Sequence, residues 1–229
     1  MDVIRGLLLD FDGLICDTER AAHQSWRELY AGVGQEFAPY LWAAMAGRRD
    51  GEAVAVADLA ERLGRPVGAD ALAWRRNRKQ VLCDAEPLRP GVAALTDLAR
   101  DRGLILGVVS NSPLRWVSGH LLRLRVWDRF SVVVTGERAV WPKPAPDLYE
   151  RALEQAGLAA NEAVAVEDSV TGVAAAKAAG LRCIAVPNAV GRAADLADAA
   201  VVLDTLAGGE LPAALNRLER LGREGALVR

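Results

Sequence analysis

Asp10 and Asp12 stand two residues apart at the end of an apolar run, Ile4 to Leu9, and Gly13 follows at once. A run of this kind, bounded by Asp and Gly, reads as a strand buried on both faces. Side chains alternate along a strand, so both carboxylates are expected to start on the same side. An unpaired buried charge is costly and tends to neutralise itself. Two neighbouring carboxylates therefore need a cation, and a hard ion such as Mg²⁺ takes carboxylate and carbonyl oxygens. Gly13 lets the backbone turn sharply past the pair. A strand end with two solvated aspartates would look the same, so the rest of the chain has to decide.

Three further stretches carry groups that suit phosphate or metal. Ser110-Asn111-Ser112-Pro113 follows the apolar run Leu104 to Val109. Its serine–proline pair reads as a helix N-cap and first turn, where free N–H groups and the helix dipole favour an anion. Lys143 sits among Pro142, Pro144 and Pro146, which limit where its ammonium points. Glu167-Asp168-Ser169 follows the apolar run Ala163 to Val166. Taken singly, these are an ordinary cap, a solvated turn lysine and an acidic helix start. Taken together, Glu167, Asp168 and Asp10 could form an oxygen cage for Mg²⁺ beside an anion cradle. Asp10, ionised against a usual pKa of about 3.9, could then attack phosphorus. Asp12 would hold a proton for the leaving oxygen and later take one from water, the opposite duty. A positioned acid/base contributes roughly 10²–10⁴ in rate, and a covalent intermediate splits one hard displacement into two.

Two kinds of pattern position these groups. From Glu19 to Ala85 only helical spacing is visible: Glu19 to Tyr30, Pro39 to Ala46, Gly51 to Leu63 and Ala69 to Ala85. Residues 18–86 therefore read as an all-helical insertion after the first strand, and Glu86 to Gly91 as a turn-rich return. From Gly91 onward helices and strands alternate. Strands are expected at Leu104 to Val109, Ser131 to Val134, Ala163 to Val166, Arg182 to Val186 and Ala200 to Leu203. Helices are expected at Val92 to Arg102, Pro113 to Arg125, Pro146 to Ala156, Val170 to Ala179, Ala193 to Ala197 and Leu211 to Leu221. That alternation implies an α/β chain with a three-layer, Rossmann-like core around a parallel sheet. The core is expected over residues 1–17 and 87–229, with the helical insertion over residues 18–86. Ligands of such sheets bind beyond the carboxyl ends of the strands, where the strand order reverses.

Composition excludes several classes. The 229 residues, 52% hydrophobic, suffice for one domain of roughly 150 residues and a smaller one. A net charge of -2 gives no basic field for nucleic acid. Three cysteines without metal spacing and two histidines exclude a thiolate or histidine-rich metal site. They fit reduced thiols in a cytoplasmic protein. No apolar run approaches the roughly 20 residues of a membrane span, and acidic residues close to the N-terminus are wrong for a signal peptide.

The four ordered motifs, Asp10-Phe11-Asp12-Gly13, Ser110-Asn111-Ser112, Lys143-Pro144-Ala145-Pro146-Asp147 and Glu167-Asp168-Ser169, resemble those of the haloacid dehalogenase superfamily. The likeness is to its helical-cap branch of beta-phosphoglucomutase-like and phosphoglycolate-phosphatase-like proteins, and spans Ile4 to Val202. It implies that Asp10 is nucleophile and Mg²⁺ ligand, and Asp12 acid/base with its carbonyl on the metal. It further implies that Ser110, Asn111 and Lys143 bind the phosphoryl group, and that Glu167 and Asp168 hold the ion. The dehalogenases lack the second aspartate, so Asp12 sets that reaction aside. The mutases carry a cap histidine where this chain has Ala22, and Lys-Asn where it has Pro113-Leu114. Both departures favour a phosphatase of a small sugar or polyol phosphate over a phosphomutase. A binding protein without activity would have lost one of Asp10, Asp12, Lys143 or Asp168. Glu19, His23, Arg48 and Arg49 are the cap residues expected to meet the substrate. The two arginines suit a carboxylate or second phosphate, although a solvated basic turn would use them too. Arg75-Arg76-Asn77-Arg78-Lys79 reads as a solvated helix face, Trp26, Trp42 and Trp74 as cap core, and Trp141 as an entrance residue. A monomer or weak homodimer is expected.

Overall fold

The structure is a computed structural model that describes residues 3–45 and 50–226. Its sheet has six parallel strands: β1 (Gly6–Leu9), β2 (Ile105–Val109), β3 (Val132–Val134), β4 (Ala163–Glu167), β5 (Arg182–Ala185) and β6 (Val201–Val202). Their spatial order is β3-β2-β1-β4-β5-β6. The chain runs outward from β1 through β2 to β3, then returns to lay β4 on the other side of β1. The order thus reverses at β1, whose Leu8 registers with Gly107 on β2 and Ala165 on β4. Alternation sorts the apolar residues to two faces. Leu7 and Leu9 pack with α5 (Val92–Asp101), α6 (Leu114–Arg123) and α9 (Leu211–Ala226). Leu8 packs on the opposite face with α7 (Asp147–Ala156) and α8 (Val170–Ala178). The α/β, three-layer expectation holds. The first strand is shorter than its apolar run, starting at Gly6, and the last is reduced to two residues.

Among the described residues, four helices lie between β1 and α5: α1 (Thr18–Gly32), α2 (Pro39–Met45), α3 (Gly51–Leu63) and α4 (Ala69–Ala85). They bury an apolar cluster of their own, built on Trp26, Leu29, Tyr30, Phe37, Trp42 and Leu59. Trp74, expected in that cluster, is instead exposed on α4. The basic run of α4 is not one solvated face either. Arg75 is buried over the Trp26 ring and paired with Glu52, and Arg78 forms a two-pronged contact with Glu28. The two strands of chain joining these helices to the sheet bridge each other at Cys16 and Leu88. Arg123 of α6 holds their far side, donating to the carbonyls of Glu86 at 2.9 Å and Cys83 at 3.1 Å.

Candidate active site

Asp10, Glu167 and Asp168 come together at the carboxyl ends of β1 and β4, where the strand order reverses. One carboxylate oxygen from each lies within 4.8 Å of the other two, and all three residues are buried. The site is made possible partly by Gly13. Its φ of 80° is left-handed, and a Cβ there would collide with the Asp168 carboxylate and the Asn188 amide. Asn188 in turn donates to Asp168 Oδ2 at 2.7 Å.

Lys143 is the cation among these acids. Its Nζ donates to Asp10 Oδ1 at 2.6 Å, Glu167 Oε1 at 2.5 Å and the Val109 carbonyl at 2.7 Å. An ammonium has three protons, so all three are in use. Burial pulls the Lys143 pKa down, but the charges of Asp10 and Glu167 outweigh it and leave the group above its usual range, hence protonated. The acids are strained in the opposite sense. Burial raises the Asp10 pKa well above the usual carboxylate range; Lys143 opposes the rise, while Glu167 and Asp12 add to it. Asp168 is raised too, by burial and then by Asp10 and Glu167. Three buried carboxylates share one ammonium, which leaves two negative charges without a partner when all are ionised. A divalent cation matches that deficit in charge, and the donors are the hard oxygens such an ion prefers.

Glu167 and Asn111 both hold Lys143. Glu167 accepts from Lys143 and the Tyr149 hydroxyl, 2.7 Å away, on Oε1. Its Oε2 accepts from Asp168 N and Ser169 Oγ, both at 3.3 Å. Glu167 thus seats Lys143 at the tip of β4. Asn111 uses its side-chain amide on the Lys143 main chain, accepting from its N–H at 2.9 Å and donating to its carbonyl at 3.3 Å. The Asn111 side chain thus brackets the backbone of the lysine.

Asp10 and Asp12 do not share partners, contrary to simple alternation. The strand ends at Leu9, and beyond it the period of two no longer applies. Asp12 turns towards α1 and α6. Its Oδ1 accepts from Thr18 Oγ1 at 2.7 Å and Trp116 Nε1 at 2.8 Å. Its Oδ2 accepts from Ser112 Oγ at 2.6 Å and Ser110 Oγ at 3.3 Å. Ser112 is therefore not a helix cap. Pro113 occupies the N-cap position, and the first helical N–H, of Leu114, is satisfied by Glu137. The Ser110 hydroxyl also accepts from the Ser112 N–H at 3.0 Å, which fixes it at the tip of β2.

Among the helical-insertion residues, Glu19 faces this region. Burial, then Asp12, push its pKa up to about 7, and Lys79 opposes them. His23 is held by rings of the helical insertion instead, edge-on to Trp42 at 5.2 Å and Phe37 at 5.7 Å. Burial lowers its pKa. Arg48 and Arg49 lie outside the described residues. Trp141 is two-thirds exposed beside the lysine loop. Sequence reasoning passed over Tyr149, Trp116, Thr18 and Asn188. Their signal is weak, since each belongs to an element whose own pattern explains it. Only the nearness of Thr18 and Trp116 to two motifs hinted at more.

The family model of the haloacid dehalogenase-like hydrolases matches residues 4–180. YhcW of Bacillus subtilis (strain 168), provisionally named a phosphatase, is 36% identical over 217 residues, covering 94% of this chain and 98% of that protein. The phosphorylated carbohydrates phosphatase of Thermotoga maritima is 27% identical over 188 residues, covering 79% of this chain and 84% of its own. The crystal structure of a haloacid dehalogenase family hydrolase from Deinococcus radiodurans R1, with bound phosphate and sodium, superposes with a TM-score of 0.78 at 27% identity, covering 95% and 97% of the two chains. With its acidic motifs meeting at the reversal point of a parallel sheet, this chain belongs to the haloacid dehalogenase-like hydrolase family, in its phosphohydrolase branch.

Proposed function

We propose that the chain is a Mg²⁺-dependent phosphatase of a small sugar or polyol phosphate, working through an aspartyl-phosphate on Asp10. The observation that supports it is the buried convergence of Asp10, Asp168 and Glu167 around Lys143. Lys143 holds Asp10 Oδ1, and no protein donor among the described residues reaches Oδ2. That oxygen is the one to attack phosphorus as the ester P–O bond breaks. Asp12 gives its proton to the departing alkoxide, then removes one from the water that attacks the phosphorylated Asp10. Inorganic phosphate leaves and the Asp10 carboxylate is restored. Asp10 and Asp168 would hold Mg²⁺, whose positive charge would ease the approach of phosphate to a carboxylate. Ser110, at the tip of β2, is placed to receive the phosphoryl group beside Asp12.

Residues 18–86 act as a cap over this site, with Glu19 turned to the substrate. A sugar phosphate is favoured because a phosphatase of phosphorylated carbohydrates is among the relatives. His23, packed among cap aromatics, gives no support to a phosphomutase.

The test is phosphate release from glucose 6-phosphate, glucose 1-phosphate, fructose 1-phosphate, sorbitol 6-phosphate, mannitol 1-phosphate, glycerol 3-phosphate and 2-phosphoglycolate. Turnover of at least one is expected with Mg²⁺. EDTA and Asp10→Asn should each abolish it. A folded, Mg²⁺-loaded protein that releases phosphate from none of them rules the reading out.

A further inference from the structure

The loop after β5, residues 187–191, is tied down from both sides. Arg89, on the return from the helical insertion, donates to the Pro187 carbonyl at 2.9 Å and also to the Gly13 carbonyl. Val190 packs against the apolar cluster of the helical insertion. Within the loop, Asn188 Oδ1 accepts from Val190 N at 2.9 Å and from Gly191 N at 2.7 Å. An atom that receives two main-chain N–H groups must be the oxygen, so the amide has one orientation. Its NH₂ therefore faces Asp168, and Nδ2 donates to Oδ2 at 2.7 Å. The Gly13 backbone lies against the same oxygen. A Cβ on Gly13 would fall 1.9 Å from Asp168 Oδ2 and 3.0 Å from Asn188 Nδ2.

A carboxylate held at one oxygen meets a cation with the other. Turning Asp168 to offer both oxygens means giving up the Asn188 bond. Divalent ions differ in how much that matters. Mg²⁺ demands a near-octahedral shell of single oxygens at about 2.0–2.1 Å. Ca²⁺ takes roughly six to eight oxygens at about 2.3–2.6 Å and readily uses both oxygens of one carboxylate. An Asp168 fixed in one orientation suits the smaller ion and offers less to the larger.

We propose, resting on the Mg²⁺-dependent reading given above, that Asn188 is a positioning residue for Asp168 and makes the site prefer a small octahedral cation over a larger one. Groups that orient a metal ligand typically contribute about 10–100-fold in metal affinity. A residue that only shapes its loop would affect both ions alike. The preference between the two ions is therefore the quantity to read.

The experiment titrates Mg²⁺ alone and Ca²⁺ alone into the metal-free protein at pH 8 by calorimetry. Wild type, Asn188→Ala, Asn188→Asp and Asp168→Asn are compared. Asn188→Ala should raise the Mg²⁺ Kd about tenfold or more and the Ca²⁺ Kd less than about threefold. The preference for Mg²⁺ over Ca²⁺ then falls at least about threefold. Asn188→Asp keeps an acceptor for the two loop N–H groups but puts an acceptor where the donor stood. Its charge acts on both ions, so the preference should fall there too, and this variant decides if Asn188→Ala fails to fold. A preference unchanged in either folded variant overturns the inference and leaves the metal-dependent reading standing. Wild type that binds no Mg²⁺, or Asp168→Asn that binds it as tightly as wild type, overturns both.

Discussion

Tyr149 shows how one phenol bears on the proposed nucleophile, a carboxylate that it does not touch. Its hydroxyl and Lys143 Nζ share Glu167 Oε1, and Lys143 in turn holds Asp10 Oδ1. The order of contact is Tyr149 to Glu167 to Lys143 to Asp10. Tyr149 and Glu167 are both fully buried, so water cannot replace a lost partner without opening the core. A hydrogen bond to a charged group contributes roughly 1.5–3 kcal/mol. Tyr149→Phe removes one donor while keeping the ring that packs in the core. Stability should fall by about 2 kcal/mol on that scale, seen as a lower denaturant midpoint. Because Glu167 loses one of its anchors, kcat should fall about threefold to tenfold, with KM nearly constant. An unchanged kcat would mean that Lys143 and Ser169 hold Glu167 well enough without the phenol.

At the scale of elements, the start of α8 is the part cut most closely to the chemistry. Ser169 caps it, accepting from Gly172 N at 3.1 Å. A Cβ on Gly172 would fall within the van der Waals reach of the Glu167 carboxylate, so the helix comes this close only because residue 172 has no side chain. In an exposed helix interior, Gly→Ala stabilises by about 1 kcal/mol. Here the sign should reverse. Gly172→Ala must move Glu167 or the helix, lowering the melting temperature and cutting kcat by at least about tenfold. A melting temperature raised by Gly172→Ala would show that the carboxylate has room to retreat. The same scale explains what was legible in the sequence. Gly51–Leu63 and Ala69–Ala85 were readable to the residue, since long patterns bounded by turn residues leave little choice. The four motifs were readable because, although each alone has an ordinary explanation, their occurrence together in order does not. The partners of Asp12 were not, because periodicity stops at Leu9 and the backbone direction beyond it depends on Gly13 and the bridge to Cys16. Nor was the split of α4 into inward Arg75 and Lys79 and outward Trp74. The charged heads of Arg75 and Lys79 lie over aromatic rings that sequence alone does not place beside them.

For the molecule as a whole, the proposed metal site couples ion binding to folding. Asp10 and Asp168 are held by the fold in a setting that raises their pKa values, chiefly through burial. A raised folded-state pKa means that the metal-free native chain binds more protons than the unfolded chain. Stability from these groups is therefore greatest below the ordinary carboxylate range and declines as pH rises through the raised values. Glu19, lifted to about 7, adds to the same decline between roughly pH 4.5 and 7. A divalent cation acts in the opposite direction, since it binds carboxylates only after they lose their protons. Its binding free energy is added to folding in proportion to its occupancy. Thermal unfolding in EDTA should show a falling melting temperature from pH 5 to pH 8. With millimolar Mg²⁺ the gain in melting temperature should be small at pH 5 and grow steadily towards pH 8. Asp168→Asn should cut this Mg²⁺ gain at pH 8 to near zero, because it removes a ligand charge. The same substitution should raise the melting temperature in EDTA, because it removes one of three crowded acids. A Mg²⁺ effect of equal size at both pH values, or one that survives Asp168→Asn intact, would place the ion away from these strand tips.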